Sequence, residues 1–209
     1  MSLGVIDLST PMSLGVINYS GGMARWQPDA IGRLTEAALT LFGERGFDET
    51  TVADIAERAG LTKRTFFRYF ADKREVLFRG SESLEQLFVD GVLGAPASSS
   101  PLDAAAAGLQ SIAPMFEERR EFAARRQQII AANPELQERE LIKMASLSRA
   151  VAQALRRRGI DEPAATLTAE AGITVFRVAF ERWVAEGNRQ PLLELMRESL
   201  SELRAVAAG

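Results

Sequence analysis

The chain has 209 residues, no cysteine, no histidine and a formal net charge of −3. Disulfides, thiolate or imidazole metal ligands, and Ser-His or Cys-His catalytic pairs are therefore excluded. We expect a protein that is not an enzyme and that uses no cofactor or metal, with a carboxylate- or metal-dependent helical enzyme as a competing hypothesis.

The chain begins with a repeat. Residues 1–9, MSLGVIDLS, return almost unchanged as MSLGVINYS at residues 12–20. We interpret residues 1–27 as a flexible leader and exclude them from the fold. No apolar run approaches the roughly 18 to 20 residues that span a bilayer, so we expect a cytoplasmic protein without a membrane partner.

Helical periodicity runs through the rest of the chain. Apolar residues recur at intervals of three and four residues and strand signals are nearly absent, which predicts an all-α fold of about nine helices. A first helix is predicted over residues 29–45, ending at Gly46. A second starts at Thr51, where Thr51 and Asp54 match a capping box, and ends at Gly60.

A short third helix, Thr62–Tyr69, follows the second after a turn that contains Gly60, and the two form a helix-turn-helix unit. A fourth helix is predicted from Asp72 to about Leu93, before the small, Pro- and Ser-rich segment at 94–101. Five further helices are predicted after this segment, at residues 102–117, 119–132, 134–158, 163–186 and 190–206.

Charge is distributed unevenly around the third helix. Three arginines accompany seven carboxylates from Asp29 to Ala59, whereas six cations accompany two carboxylates from Gly60 to Arg79. An acidic chain of this kind can still present one basic face to the phosphates of DNA.

The third helix separates its rings from its cations. When it coils, Phe66 and Tyr69 fall on the side that faces the first helix and the core. The opposite side carries a set of cations, a hydroxyl and one ring: Lys63, Arg64, Thr65, Phe67 and Arg68. These groups suit phosphate oxygens, base-edge acceptors and a thymine methyl, which predicts binding to double-stranded DNA. A small-molecule binding protein whose basic helix is incidental remains the alternative.

The stretch AALTLFGERGFDETTVADIAERAGLTKRTFFRYFADKREVLF carries a pattern in several parts. It contains Thr-Thr-Val before Asp-Ile-Ala, then Gly-Leu-Thr, Thr-Phe-Phe-Arg-Tyr-Phe and Asp-Lys. Through this pattern, residues 29–78 resemble the DNA-binding domain of the TetR family of transcriptional regulators. The C-terminal part resembles actinobacterial members of that family, through RRQQIIAANPELQERELIKMASL and VFRVAFERW.

The resemblance implies a set of DNA contacts. Thr51, Tyr69 and Lys73 would contact the phosphate backbone, and residues of the third helix would approach the bases or the groove wall. The DNA-binding residues so implied are Thr51, Lys63, Arg64, Thr65, Phe67, Arg68, Tyr69 and Lys73. Ala53 stands where many members carry a basic residue, so one contact of the family is missing here.

Two apolar stripes mark the last two predicted helices. Burial of each large side chain is worth about 1.5 to 3 kcal/mol, so these stripes need a partner surface. We expect them to meet their symmetry mates in a four-helix dimer interface, with ordinary core inside one subunit as the alternative. The predicted interface residues are Ile173, Phe176, Phe180, Trp183, Leu192, Leu195, Met196, Ser199 and Leu203.

Methionine and aromatic side chains in the middle helices predict a small-molecule cavity. The predicted lining residues are Met115, Phe116, Phe122, Ile129, Met144 and Leu147. Four nearby arginines either pair with an acidic ligand or form a solvated face: Arg119, Arg120, Arg125 and Arg126.

Together these features predict a homodimeric one-component regulator with two domains. Residues 28–75 form the helix-turn-helix DNA-binding domain, and residues 76–209 form a helical ligand-binding and dimerisation domain. We expect a repressor that binds a palindromic DNA operator and is released from it by an apolar or acidic small-molecule effector. The alternative is a helical small-molecule binding protein without specific DNA recognition.

Overall fold

The computed structural model describes residues 29–209, and the predicted leader at 1–27 lies outside that range. Within the described residues the chain is made of helices and turns without a strand, which confirms the all-α prediction. No helix in this range combines the length and apolarity needed to cross a membrane.

Four helices come first, and we call them the head: α1 (Ala30–Arg45), α2 (Val52–Arg58), α3 (Lys63–Tyr69) and α4 (Glu75–Phe78). The side chain of Asp29 accepts a hydrogen bond from Gly32 N at 2.8 Å and so caps the start of α1. Gly46, with φ of 87°, ends α1 in a conformation that residues with a β-carbon rarely adopt.

Six helices follow, and we call them the body: α5 (Ser81–Gly94), α6 (Pro101–Glu117), α7 (Arg120–Ala131), α8 (Pro134–Arg157), α9 (Ala164–Val184) and α10 (Leu192–Ala208). The last five correspond to the helices predicted after the Pro- and Ser-rich segment, with ends that agree within two residues. Helix α6 runs through Pro114 to its end at Glu117.

The predicted fourth helix is wrong in one respect, because the chain breaks it into α4 and α5. Arg79 is extended, with ψ of 138°, and Gly80 is left-handed, with φ of 91°. A left-handed residue cannot continue a right-handed helix, and glycine adopts this conformation without the steric cost of a β-carbon. The described residues therefore form ten helices, close to the prediction of about nine.

Buried side chains form two clusters. The head cluster joins α1 to α4 and also includes Ile129 and Ile130 of α7 and Leu136 of α8. The body cluster joins α5, α6, α8, α9 and α10 around Phe88 and Trp183. The corner between α7 and α8 is thus packed as part of the head.

The sequence-based domain boundary lies inside the head cluster. Val76, Leu77 and Phe78 follow that boundary, yet all three are buried among residues of the head. By packing, the chain divides at the Gly80 break, and the split into domains at 28–75 and 76–209 stays a prediction.

Helices α5 and α6 approach each other at two glycines. A β-carbon at Gly108 would overlap the ring of Phe88 and lie 2.9 Å from its carbonyl oxygen. A β-carbon at Gly91 would lie 2.8 Å from the Cα atom of Gly108. Ser111 Oγ donates to Leu87 O at 2.7 Å across the same contact. The two helices therefore pack closely against each other, backbone to backbone, around Phe88.

We expect Gly108→Ala to destabilise the body, because the added methyl overpacks the contact with Phe88. Overpacking of this kind costs about 1 to 3 kcal/mol. Gly94→Ala is the matched control, since its β-carbon meets nothing within 4 Å. Urea denaturation at a fixed protein concentration measures both variants, and equal midpoints for the two would contradict the close approach.

Candidate DNA interface and effector cavity

Hydrogen bonds fix the starts of α2 and α3. Thr51 Oγ1 accepts from Asp54 N at 3.2 Å, and Thr51 N donates to Asp54 Oδ2 at 2.9 Å, which confirms the predicted capping box. The Thr51 hydrogen bonds hold the pKa of Asp54 below its ordinary value. At the start of α3, Thr62 Oγ1 accepts from Thr65 N at 3.1 Å. The orientation of α3 is therefore set by its own sequence as well as by packing.

The two sides of α3 differ in exposure. Phe66 is fully buried and packs on Phe70, with ring centroids 5.3 Å apart. Phe67 is 57% exposed, and Thr65 is half-buried at the edge. The cations of the outward side are exposed as well: Lys63, Arg64 and Arg68. We call this side, with Thr65 and Phe67, the α3 face.

The assignment of Tyr69 to the core is wrong. Its side chain is 36% exposed, and Arg68 Nη2 donates to its hydroxyl at 2.8 Å while the guanidinium lies 4.7 Å from its ring centroid. Helix α3 ends at Tyr69, and the extended Phe70 turns into the core instead. Tyr69 thus lies outside the core, beside Arg68.

Free cations concentrate on the α3 face. Nearby arginines of the head are paired, Arg58 with Glu44 at 2.8 Å and Arg74 with Asp72 at 2.7 Å. Within residues 29–209, neither Lys63 nor Arg64 forms a salt bridge. Unpaired cations of this kind can neutralise phosphates without first losing a partner.

Lys73 is held inside the head. Its ammonium donates to the carbonyl oxygens of Phe47, Asp48 and Thr50, at 2.6, 3.2 and 3.0 Å. The Nζ atom also lies 4.3 Å from the ring centroid of Phe47. These three acceptors use all three ammonium protons. Lys73 therefore fixes the loop that precedes Thr51, and a phosphate contact from Lys73 would require it to give up one of these bonds.

A cavity of about 300 Å³ lies between the head and the body. Five of the six residues predicted from the sequence line it: Met115, Phe116, Phe122, Met144 and Leu147. Ile129 does not, because the corner between α7 and α8 carries it into the head cluster. The head supplies Leu77 and Phe78 to the wall, and nothing in their local sequence marks them as lining residues.

An aromatic cluster forms the inner wall of the cavity. Phe116 lies 5.4 Å from Phe176 and 5.6 Å from Phe180 between ring centroids. Trp183 packs behind them, 5.7 Å from Phe180, and is fully buried. This wall provides an apolar surface for a ligand, and it places a tryptophan within contact distance of the lining residues.

Charged side chains surround the rest of the cavity. The cations are Arg79, Arg119, Arg126 and Lys143, and the carboxylates are Glu82, Glu85 and Glu140. Arg126 and Glu140 form a two-pronged ion pair, with N–O distances of 3.2 and 2.6 Å. A ligand that carries both an apolar body and a charged group fits this combination of surfaces.

The other arginines that the sequence singled out have separate partners. Arg120 donates to the carbonyl oxygens of Trp183 and Asn188, at 2.7 and 2.5 Å. Arg125 pairs with Glu36 of α1 at 2.8 Å. Neither of these two arginines belongs to a simply solvated face.

The structure buries the residues of the predicted dimer interface inside one chain, while a dimer that pairs the last two helices with their symmetry mates stays a prediction. Eight of the nine are buried in the body, and Leu203 is partly buried against the same cluster. The alternative left open above, ordinary core within one subunit, describes them. Helix α9 packs against α6, α8 and α10, and helix α10 packs against α9 and α6.

Comparison with known proteins gives matches at both ends of the described chain. Residues 34–79 match the bacterial regulatory proteins of the tetR family, and residues 99–208 match the MftR C-terminal domain. The second match alone covers more than half of the 209 residues.

Individual relatives are also transcriptional regulators. MftR of Mycobacterium tuberculosis, named for mycofactocin biosynthesis, is 28% identical over 73% of this chain and 79% of its own length. TcmR of Streptomyces glaucescens is 31% identical over 51% of this chain, and this match spans 47% of TcmR.

A solved structure of a TetR family repressor also matches this chain. FadR of Thermus thermophilus, a TetR family repressor crystallised with lauroyl-CoA, is 25% identical with a TM-score of 0.51. That comparison covers 83% of this chain and 93% of FadR. With the helix-turn-helix head, the all-helical body and both matches, the chain belongs to the TetR family of transcriptional regulators.

Proposed function

We propose that this protein is a homodimeric one-component repressor that binds a palindromic DNA operator and leaves it when a small molecule enters the cavity. The α3 face is the observation that carries the proposal. It is the exposed side of a capped recognition helix, and its lysine and arginine side chains are free of internal ion pairs across residues 29–209. Helix-turn-helix proteins place such a helix in the major groove.

The chemistry of the α3 face suits direct contact with DNA. Lys63 and Arg64 can donate to phosphates or to the acceptor atoms of guanine, and the Thr65 hydroxyl can either donate to or accept from a base edge. The exposed ring of Phe67 offers apolar contact to a thymine methyl. Thr51 caps the start of α2 and is exposed, which fits a phosphate contact.

The cavity suits an effector with an apolar body and a charged group. Its volume of about 300 Å³ reaches the lower limit that is common for ligand sites. The lauroyl-CoA bound by Thermus thermophilus FadR combines an apolar chain with an anionic carrier, which supports this class of ligand. A ligand between the head and the body can shift their arrangement by preferring one of two states.

The outer side of α9 suits a second copy of the chain. Leu167, Thr174 and Val178 are exposed, Ala171 is partly exposed, and the four follow one another at intervals of four, three and four residues. This spacing puts them on one stripe of the helix. Leu167 and Val178 expose 66% and 38% of their surface in a single chain. The stripe replaces the buried residues that the sequence suggested for the dimer.

Selection from random duplexes tests the DNA-binding proposal. We expect one enriched palindromic sequence, whereas no enrichment would favour the small-molecule binding protein without specific DNA recognition. With the enriched duplex, Arg64→Ala should lower the slope of log K against log salt by about one, because one phosphate contact is lost. Arg157→Ala is the control, as this exposed arginine lies at the far end of α8 and should leave the slope unchanged.

Lys73→Met tests whether Lys73 acts inside the head. Loss of three bonds from a charged donor should lower the free energy of unfolding by about 2 kcal/mol. Because the ammonium is engaged with carbonyl oxygens, the salt slope of DNA binding should stay at the wild-type value. Fluorescence titration of labelled duplex gives the slope, and a decrease of about one would instead place Lys73 on a phosphate.

Val178→Glu tests the proposed dimer surface. A carboxylate buried without a partner in the interface should weaken association more than about a hundredfold. Sedimentation velocity over a range of concentrations measures this change. Gln153→Glu adds the same charge to an exposed position on α8 and should leave the dimer intact. A stable Val178→Glu dimer would contradict the assignment of the stripe.

A further inference from the structure

Three arginines of the body donate to acceptors on the head. Arg125 of α7 pairs with Glu36 of α1 at 2.8 Å. Arg139 of α8 pairs with Glu75 of α4 at 2.5 Å. The third arginine, Arg126, differs from these two because its acceptor on the head is a neutral main-chain carbonyl.

Arg126 makes three contacts around the end of α4. Its Nε atom donates to Leu77 O at 2.6 Å, and its two Nη atoms donate to Glu140 of α8. The guanidinium carbon lies 5.1 Å from the ring centroid of Phe78. The side chain is 16% exposed, and it lines the cavity together with Leu77, Phe78 and Glu140.

Cavity contact distinguishes Arg126 from the other two arginines. Arg125 and Arg139 are absent from the cavity wall within the described residues. A molecule in the cavity therefore touches one of the three links between body and head and leaves the other two in place.

We propose that Arg126 transmits effector binding to the head: an anionic group on the effector draws the guanidinium away from Leu77 O and so releases the end of α4. This inference rests on the cavity being the effector site of the proposed function. It specifies the class of effector, an apolar molecule with a carboxylate or similar anion, and the residue through which that anion acts.

The two acceptors of Arg126 differ in strength, which determines what is displaced. Glu140 holds the guanidinium by two parallel bonds and by the attraction of opposite charges, whereas the neutral carbonyl of Leu77 accepts one bond and carries no charge. The carbonyl of Leu77 is therefore the weaker partner, and an effector anion can replace it while the pair with Glu140 remains. A neutral effector offers no competing charge, and a cation would have to break the two-pronged pair instead.

The surrounding charges also favour an anion. Arg79, Arg119 and Lys143 line the cavity with Arg126 and form no salt bridge within residues 29–209. The opposing carboxylates are Glu82 and Glu85, besides Glu140, which is already paired with Arg126. The wall therefore has one more cation than carboxylates.

Helix α4 is a suitable element to receive this change. It has four residues, and its own hydrogen bonds are few because a single turn satisfies little of its backbone. Val76, Leu77 and Phe78 are buried in the head cluster, so a shift of α4 is passed directly to the residues that support α3.

Decanoate and 1-decanol are matched probes for this proposal, since they share a chain and differ in the anionic group. Trp183 reports binding through its fluorescence in a Trp26→Phe background, because it packs against the lining residue Phe180. Amide hydrogen exchange at 75–78 reports release of α4. We expect decanoate to accelerate this exchange about tenfold or more, since a bond to a charged donor is lost, and 1-decanol to leave it unchanged.

Variants separate the role of Arg126 from general loosening of the head. In Arg126→Met, saturating decanoate should leave exchange at 75–78 unaltered. Arg125→Met is the matched control, because it removes a neighbouring link that lies outside the cavity wall, and it should keep the wild-type response. Glu140→Gln covers the case in which Arg126→Met fails to fold. It should respond at a several-fold lower decanoate concentration, because Arg126 loses its competing carboxylate.

Two outcomes would overturn the proposal. If decanoate changes neither the Trp183 fluorescence nor the exchange at 75–78, the anionic class of effector is rejected. It is also rejected if decanoate and 1-decanol change both quantities equally. If decanoate accelerates exchange in Arg126→Met as it does in the wild type, the role of Arg126 is rejected. If that variant does not fold, the role is rejected when Glu140→Gln needs the same decanoate concentration as the wild type. These measurements need no operator, so a failure here is distinct from a failure to enrich a DNA sequence.

Discussion

The corner between α7 and α8 is inserted into the core of the head, and the arrangement of the molecule follows from that contact. Ile129, Ile130 and Leu136 are buried among side chains of α1 to α4. Each buried large aliphatic side chain contributes about 1.5 to 3 kcal/mol, so the head cannot swing freely on a linker. The head moves with α7 and the start of α8, or it does not move.

This contact explains why the cavity lies where it does. The remaining part of α7 faces the body, so the two hydrophobic clusters meet along one helix and leave the cavity between them. Phe122 and Ala123 of α7 line it, next to the arginines that reach α1 and α4. The same helix therefore lines the cavity and supports the head.

Local features of the fold were predictable from the sequence, because their causes are local. The capping box at Thr51, the end of α1 at Gly46 and the placement of Phe66 in the core follow from hydrogen bonding and helical periodicity within a few residues. The break at Gly80 was missed because the residues on both sides have helical patterns, and a single glycine is compatible with a continuous helix.

Properties that depend on tertiary contacts were predicted less well. Apolar stripes show that α9 and α10 bury one side, but they do not show whether the covering surface belongs to the same chain or to another. The stripes alone therefore could not show that Phe180 and Trp183 pack inside the chain. Lys73 likewise lies 23 residues or more from the carbonyl groups that hold it, a separation over which sequence patterns carry no information.

The shortness of α3 limits what a single head can recognise. Seven residues make a helix of about 10 Å, which matches about three base pairs at the DNA rise of 3.4 Å. A sequence of three base pairs recurs by chance about once in 64 positions, while a genome offers about a million competing sites or more. In the proposed dimer, two heads would each contact such a short sequence, and the second sequence and its fixed spacing from the first would add the selectivity that one head lacks. A small molecule that changed the spacing of the two heads would weaken DNA binding without contacting a single base.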